Sequence, residues 1–359
     1  MSRLVAVAAL LALAAPCAAA QEAGPRGTAA VRGVVRSADG EPVPYAVVAM
    51  PPRFPQRFTD EAGAFAFSRI PAATYRLQVR QVGYKPFDTT VAVAPGETVT
   101  VAPVLERLTV QLEEITVVAS RGCTQPGPPD AGTPELAALF DQIRQYARQY
   151  RLLATQYQFR YRMVRVFSDL NEVGNVDWTR RDTVEYLSSA IVRYRPGDVV
   201  GATDLPDGTI ARTVVLPTIM DIADSVFQAN HCFALTGPVP GDTAALVRFH
   251  FRPPDSLQAP DLAGDVDMDA RSYQVRRITV SLTHPERAWD KMRAATSTIT
   301  FAELLPNVVV QRRVESVQVL ARPPLLVGGA HYVGRFAEDQ TLLDTRFLHP
   351  LPSRRDSAP

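Results

Sequence analysis

Two stretches decide the fold of this chain: GVVRSADGEPVPYAVV at residues 33–48 and TDEAGAFAFSRIPAATYRLQVRQVGYKP at residues 59–86. In the second, Tyr75, Leu77 and Val79 alternate with polar side chains, which predicts a β-strand with one buried face. In the first, residues 43–50 are apolar on both faces, so we expect a strand covered on both sides. Asp39-Gly40 and similar pairs mark turns between strands. This pattern predicts a β-sandwich of about seven short strands, of Greek-key or prealbumin type.

In wording and order, these two motifs resemble the carboxypeptidase regulatory-like domain, a transthyretin-like sandwich of the carbohydrate-binding-like fold. The module assigned to this resemblance spans residues 29–118. Ala73 departs from the family, which has glycine at that turn. A zinc carboxypeptidase needs imidazole ligands beside an acidic residue. None of the five histidines lies in the module, and none is followed three residues later by glutamate. We therefore predict an accessory module with no catalytic residue, no metal site and no cofactor.

The first twenty residues have the pattern of a secretory signal. Arg3 precedes an apolar run over residues 4–15, and Ala18 and Ala20 stand before Gln21. This order predicts a signal peptide over residues 1–20, cleaved between Ala20 and Gln21. The run is too short to span a bilayer as a helix, and no later run is longer, so we expect no transmembrane span. The protein is therefore expected to be exported: periplasmic, associated with the outer membrane, or extracellular.

A Gly- and Pro-rich linker over residues 119–132 separates this module from a second domain over residues 133–345. Apolar residues at 136, 139, 140, 143, 147 and 150 recur at helical spacing and predict one amphipathic helix. Beyond residue 153 the period changes to two, as in Val247, Phe249 and Phe251, which predicts long antiparallel strands. The class is mainly β, with an α+β second domain in which a curved sheet packs on one helix. Residues 346–359 are expected to be a disordered tail.

The second domain also has a weaker resemblance, to the C-terminal region of secreted proteins with a regulatory-like domain and more distantly to lipoprotein-carrier half-barrels. It rests on IMDIADSVFQANHCFAL at residues 219–235, VRFHFRP at 247–253, GDVDMDARSYQVRRITV at 264–280 and ITFAELLPN at 299–307.

Few residues point to chemistry. Cys123 and Cys232 remain after signal removal, and in an oxidising compartment they predict a disulfide; two buried thiols or an intermolecular bridge are the alternatives. His231 beside Cys232 is also open to interpretation as a metal ligand or part of a nucleophile, without a second cluster to support it. Asp265, Asp267 and Asp269 resemble the start of a calcium loop. The positions of the loop glycine and the last glutamate are Ala270 and Arg276, so we interpret the aspartates as the outward face of a strand that ends in a turn.

Three functional hypotheses follow. The first is a non-enzymatic envelope protein that docks on a glycan or an outer-membrane partner through the sandwich. The second is a periplasmic carrier that holds a lipid or other apolar ligand against Tyr157, Phe159, Phe249 and Phe251, residues for which plain core packing is the alternative. The third is a secreted hydrolase with an unrecognised site. The chain has 38 basic and 37 acidic side chains, so it lacks the excess of positive charge that is typical of nucleic-acid-binding proteins.

Overall fold

The N-terminal module is a small all-β unit in the computed structural model, which describes residues 29–108, 122–129, 134–171, 175–190, 193–204, 210–239, 245–321 and 333–352. The predicted signal peptide and the segment 109–121 lie outside the described residues. The strands are β1 (Ala29–Val34), β2 (Arg36–Ser37), β3 (Val47–Ala49), β4 (Arg57–Phe58), β5 (Ala64–Ile70), β6 (Ala73–Arg80), β7 (Phe87–Val93), β8 (Thr98–Val101) and β9 (Val104–Leu105). They form sheets in the orders β5-β1-β8 and β4-β3-β6-β7, with β2 paired to β9. The predicted sandwich is therefore present.

The alternation in the sequence sets the core of this module. Tyr75, Leu77 and Val79 are buried on one face of β6. In and beside β3, Ala46 and Val48 pack into the sandwich core, while Tyr45 and Val47 pack on the opposite side against the second domain. The expectation of a strand covered on both faces is confirmed.

The second domain is one large antiparallel sheet with a long helix packed on it. Its elements are α1 (Pro134–Gln156), β10 (Phe159–Leu170), β11 (Val176–Leu187), β12 (Val200–Asp204), β13 (Ile210–Val214), α2 (Ile219–Ile222), α3 (Ser225–Ala229), β14 (Cys232–Pro238), β15 (Leu246–Arg252), β16 (Leu262–Asp269), β17 (Val275–Leu282), α4 (Pro285–Ala288), β18 (Met292–Leu305), β19 (Val308–Ala321) and β20 (Val333–Phe347). Nine strands follow the order β11-β10-β20-β19-β18-β17-β16-β15-β14, and β12 and β13 form a separate two-stranded sheet among the described residues. No helix of the described residues is long and apolar enough to cross a membrane.

Helix α1 packs on this sheet through the stripe that its sequence predicts. Leu139, Phe140 and Ile143 are fully buried, and they share a core cluster with Phe249 and Phe251 of β15. The exposed side of the helix carries Arg148 and other polar residues. The helix therefore separates the sheet from solvent along much of its inner face.

The end of the chain differs from the expected tail at residues 346–359. Strand β20 runs to Phe347, whose ring lies 5.5 Å from that of Phe159 between centroids. The backbone N–H of Leu348 donates to the carbonyl oxygen of Gln158 at 2.7 Å. The boundary at residue 345 is thus too early, because an apolar side chain and a ladder hydrogen bond hold the segment to β10. Residues 353–359 lie outside the described residues.

Candidate functional site

A cavity of about 370 Å³ lies between helix α1 and the inner face of the sheet. Tyr146 and Tyr150 of α1 form one wall, and Phe159 and Tyr161 of β10 form another. Its remaining walls come from β11, the segment 213–220 and the inner ends of β18, β19 and β20. A volume of this size, lined mostly by apolar and aromatic groups, is typical of a small-molecule site.

Four of the aromatic residues that line the cavity are tyrosines, and they form two stacked pairs. The rings of Tyr146 and Tyr150 are 6.4 Å apart between centroids, and those of Tyr161 and Tyr186 are 5.4 Å apart. In the first pair the residues stand four apart on α1, which places them on one helix face. In the second pair they are direct partners across β10 and β11. The helical spacing on α1 and the cross-strand pairing of β10 with β11 thus place four phenol rings in the cavity lining.

Burial keeps three of these phenols, Tyr146, Tyr150 and Tyr161, in their protonated form. The hydroxyl of Tyr146 donates to the carbonyl oxygen of Val309 at 2.6 Å. Burial raises the pKa of Tyr146 well above its ordinary value, and burial likewise raises the pKa of Tyr150 and of Tyr161. Desolvation disfavours the phenolate form, so the cavity presents O–H groups in an apolar setting.

A capped turn fixes the segment that closes one side of the cavity. Thr218 and Asp221 form a capping box at the start of α2, in which each side chain bonds the backbone N–H of the other residue. Asp221 Oδ1 also accepts from the backbone N–H of Tyr194 at 3.0 Å. The turn holds Ile219 and Met220 at the cavity wall. This wall is therefore built by a satisfied hydrogen-bond network.

Only one of the four residues of the predicted apolar face lines the cavity, namely Phe159. Tyr157 stacks on Phe58 of the sandwich at 5.5 Å between ring centroids. Phe249 and Phe251 are fully buried in the core, where they contact Phe140 and Phe227. The structure does not bring the four together. Five strands separate β10 from β15 in the sheet, a distance of roughly 29 Å at the usual strand spacing.

The structure joins Cys123 to Cys232, whose Cα atoms are 5.6 Å apart. The backbone N–H of Cys123 also donates to Asp255 Oδ2 at 2.8 Å, and that of Gly127 donates to the carbonyl oxygen of His231 at 3.1 Å. The described part of the linker is thus tied to the start of β14. The disulfide would close a loop with a sequence separation of 109.

His231 is a core residue in this structure. Its ring stacks on Phe227 at 3.9 Å between centroids, and its two nitrogens lie 2.9 and 3.1 Å from the carbonyl oxygens of Phe227 and Leu262. Asp261, next to it in the core, accepts a 2.8 Å hydrogen bond from the hydroxyl of Tyr194. The Asp261 carboxylate lies 3.9 Å from the imidazole. His231 thus ties α3 to β16.

The three aspartates of β16 are engaged by neighbouring groups. Asp267 lies between two arginines: Arg248 Nε is 2.6 Å from its Oδ1, and Arg277 Nε is 2.7 Å from its Oδ2. Asp265 bonds His250, and Asp269 Oδ1 accepts from two backbone N–H groups of the following turn. The three aspartates alternate with the core residues Val266 and Met268 on a strand that ends at Asp269, and Asp267 is only 1% exposed where the two guanidinium groups bond it. Among the residues that the structure describes, no group of three His, Cys, Asp or Glu side chains could hold a metal ion.

Comparison with known families identifies the N-terminal module. Residues 30–106 match the family model of the carboxypeptidase regulatory-like domain. The sandwich is a carboxypeptidase regulatory-like domain. A search of the curated proteins finds no match.

Several solved structures are similar to parts of the chain. A minor pilin of Streptococcus agalactiae is 19% identical over 23% of this chain and 45% of its own length, with a TM-score of 0.21. A 3-chlorocatechol 1,2-dioxygenase of Rhodococcus opacus is 13% identical over 24% of this chain and 62% of its own, with a TM-score of 0.20. A DUF1329 family protein of Desulfovibrio piger is 10% identical over 61% of this chain and 96% of its own, with a TM-score of 0.24. The chain therefore covers less than two thirds of the pilin and of the dioxygenase.

The regulatory-like domain supports one side of the cavity. Its residues Tyr45, Val47 and Phe58 share an apolar cluster with Phe159 and Val310, both of which line the cavity. We call this cluster the seam. It is completed by residues of the helix end and of the adjoining strands: Leu152, Leu153, Tyr157, Val308 and their neighbours. The inner faces of β10 and β19 thus carry the cavity and the seam side by side.

Polar contacts fix the regulatory-like domain against α1. The backbone N–H of Gly83 donates to Gln142 Oε1 at 2.8 Å, and Gln149 Nε2 donates to the carbonyl oxygen of Tyr45 at 3.2 Å. A Cβ added at Gly83 would lie 2.7 Å from the carbonyl oxygen of Ser272, so only glycine fits this close approach. Sequence reasoning missed these contacts because Gln142 and Gln149, although both buried, fall outside the apolar stripe.

Proposed function

We propose that this chain is a non-enzymatic binding protein that holds an apolar small molecule between α1 and the sheet of its second domain. The cavity of about 370 Å³ is the observation that supports it. Binding of an apolar ligand there would remove apolar surface of both partners from water, the main driving force of such association. This proposal favours the carrier hypothesis but moves its site from the predicted aromatic face to the tyrosine pairs.

In this proposal the regulatory-like domain is a fixed accessory module. Residues of β3 and β4 pack in the seam, so this face of the domain is covered. The sheet β5-β1-β8 forms the other layer of the sandwich. That second layer is the surface we assign to docking on an envelope partner or glycan. We further propose export from the cytoplasm, which the leader-like start of the sequence and the cysteine pair support.

The ligand site is tested by filling it. Leu342 lines the cavity, and Leu343, the next residue of β20, is 53% exposed. Leu342→Trp places an indole ring, larger than the leucine side chain, in the cavity. Leu343→Trp adds the same ring at the surface. N-phenyl-1-naphthylamine, a neutral apolar fluorophore, is titrated into both variants and the wild type. We expect Leu342→Trp to weaken its binding at least tenfold and Leu343→Trp to leave it unchanged.

Equal binding by all three proteins would refute the proposed site. Circular dichroism and the denaturant midpoint of each variant show whether the fold is kept, so that a loss of binding is assigned to the cavity. As an independent measurement, mass spectrometry of organic extracts from the wild-type protein identifies an apolar molecule that co-purifies, and Leu342→Trp should lose it.

A further inference from the structure

We infer that the cavity selects electrically neutral ligands and rejects carboxylates and ammonium ions that have the same apolar tail. This inference rests on the proposed function and narrows its ligand class. The observation behind it is chemical: among the described residues that line the cavity, none is an aspartate, glutamate, lysine, arginine or histidine. The polar lining consists of hydroxyls and one amide, including Tyr150, Tyr161, Thr345 and Gln311.

Charged side chains near the cavity already have hydrogen-bonding partners. Arg165, four residues beyond Tyr161 on the same face of β10, holds Asp182 through two contacts of 2.8 and 2.9 Å. Asp221 follows the wall residue Met220, and both of its carboxylate oxygens accept hydrogen bonds: one in the capping box and one from the backbone N–H of Tyr194. A charged ligand head in the cavity would therefore leave water without gaining an opposite charge. Burial of an unpaired ion is the most unfavourable arrangement for a charge in a protein.

The lining instead suits a ligand with one neutral hydrogen-bonding group. Within the described residues, no hydrogen bond engages the hydroxyl of Tyr150 or of Tyr161, whereas that of Tyr146 is satisfied. Because burial raises the pKa of both free phenols, they keep their protons and donate. An alcohol, ester or ketone oxygen accepts such a bond without carrying a charge into the cavity.

The volume sets the length of the tail. A group the size of water or CH₂ occupies about 30 Å³, so about 370 Å³ holds an aliphatic chain of about a dozen such groups. A linear ten-carbon chain with a small head matches this size. Three probes share a ten-carbon skeleton and differ in the head group: neutral 1-decanol, anionic decanoate and cationic decylammonium.

The test is competition for the full-length protein loaded with N-phenyl-1-naphthylamine at pH 8. We expect 1-decanol to displace the fluorophore at a concentration at least one hundred times lower than either ion. Decanoic acid should gain affinity as the pH falls toward about 5, where it takes up its proton. Equal displacement by decanoate or decylammonium overturns the inference while leaving the proposed function intact. If the fluorophore does not bind and no probe binds, the proposed function fails, and this inference fails with it.

Two variants test the role of the lining directly. Gln311→Lys adds a cation to the cavity and should raise the affinity for decanoate at least tenfold, while Gln318→Lys, on the same strand outside the lining, should not. Tyr161→Phe should weaken the binding of 1-decanol several-fold. Tyr75→Phe, which removes a hydroxyl bonded to the carbonyl oxygen of Pro71 in the regulatory-like domain, is its matched control. A Gln311→Lys protein with unchanged preference for 1-decanol would contradict the electrostatic reasoning.

Discussion

Replacing Phe58 tests whether the regulatory-like domain and the second domain unfold as one body. Phe58 lies on strand β4 and is 2% exposed. Its ring contacts Tyr45 edge-on at 6.1 Å and stacks on Tyr157 at 5.5 Å, so a residue of each domain holds it. In a sandwich that swings freely from its neighbour, the same ring would stand at the surface.

The expected cost follows from these contacts. Burial of a phenylalanine side chain contributes about 1.5–3 kcal/mol, and each aromatic pair adds about 0.5–1.5 kcal/mol. Phe58→Ala should therefore lower the free energy of unfolding by about 4 kcal/mol, within the usual range for a buried phenylalanine. Phe58→Leu keeps most of the volume and should cost about 1 kcal/mol.

Tryptophan fluorescence provides the assay, because both tryptophans of the chain, Trp178 and Trp289, lie in the second domain. Trp289 packs against the core of that domain. A change at Phe58, in the other domain, should shift the tryptophan-detected urea midpoint only if the two domains are coupled. Val104→Ala, at a sandwich residue that is 51% exposed, should change the free energy of unfolding by less than about 0.5 kcal/mol. The reasoning is refuted if the tryptophan transition of Phe58→Ala coincides with that of the wild type while circular dichroism reports a separate, earlier transition.

Three further outcomes are expected. Replacing Cys123 and Cys232 by serine should lower the free energy of unfolding by about 4–5 kcal/mol in the chain-entropy model for a loop of this length, and thiol labelling of the unfolded, natively secreted wild type should modify neither cysteine. Asp267→Asn should cost about 2 kcal/mol in urea unfolding at pH 7, a value reduced for the partial exposure of the two arginines that pair with this carboxylate, and an unchanged midpoint would contradict it. Burial raises the pKa of Glu338, so the folded protein binds this proton more tightly than the unfolded chain does. The free energy of unfolding therefore falls as the pH rises from the unfolded-state pKa to the raised pKa of the folded state. Glu338→Gln should therefore stabilise the protein at pH 7, and the gain should vanish below about pH 4, whereas a pH-independent difference would show that the carboxyl charge is not the cause.

Local sequence signals predicted the long helix and the buried faces of the strands, but not the short helices α2, α3 and α4 or the total of nine strands in the sandwich. Alternation at Tyr75, Leu77 and Val79 and the apolar stripe on α1 both predict faces that the structure buries. These signals work because the period of a strand or a helix is a property of the local backbone. The same locality explains the failure at residues 346 and 347, which carry no strong strand pattern and are held by their partners on β10.

The candidate site was less predictable. The four aromatic residues of the predicted face alternate with polar residues, and alternation indicates a buried face without indicating what covers it. Helix α1 contacts Phe249 and helix α3 contacts Phe251, whereas Phe159 lines the cavity. A usable signal was present in the spacing of Tyr146 and Tyr150, one helical turn apart, although nothing local pairs them with Tyr161 and Tyr186.

The sequence by itself determined the class of each domain, the family of the sandwich and the face of the helix that is buried, because these depend on short-range periodicity and on ordered motifs. Only the tertiary structure decided which rings share the cavity and which side of the sandwich is covered. Both depend on the strand order of the nine-stranded sheet, which brings β10 next to β20, nearly two hundred residues away in the chain. Pairing between such distant segments is set by the packing of the whole domain, and no local pattern encodes it.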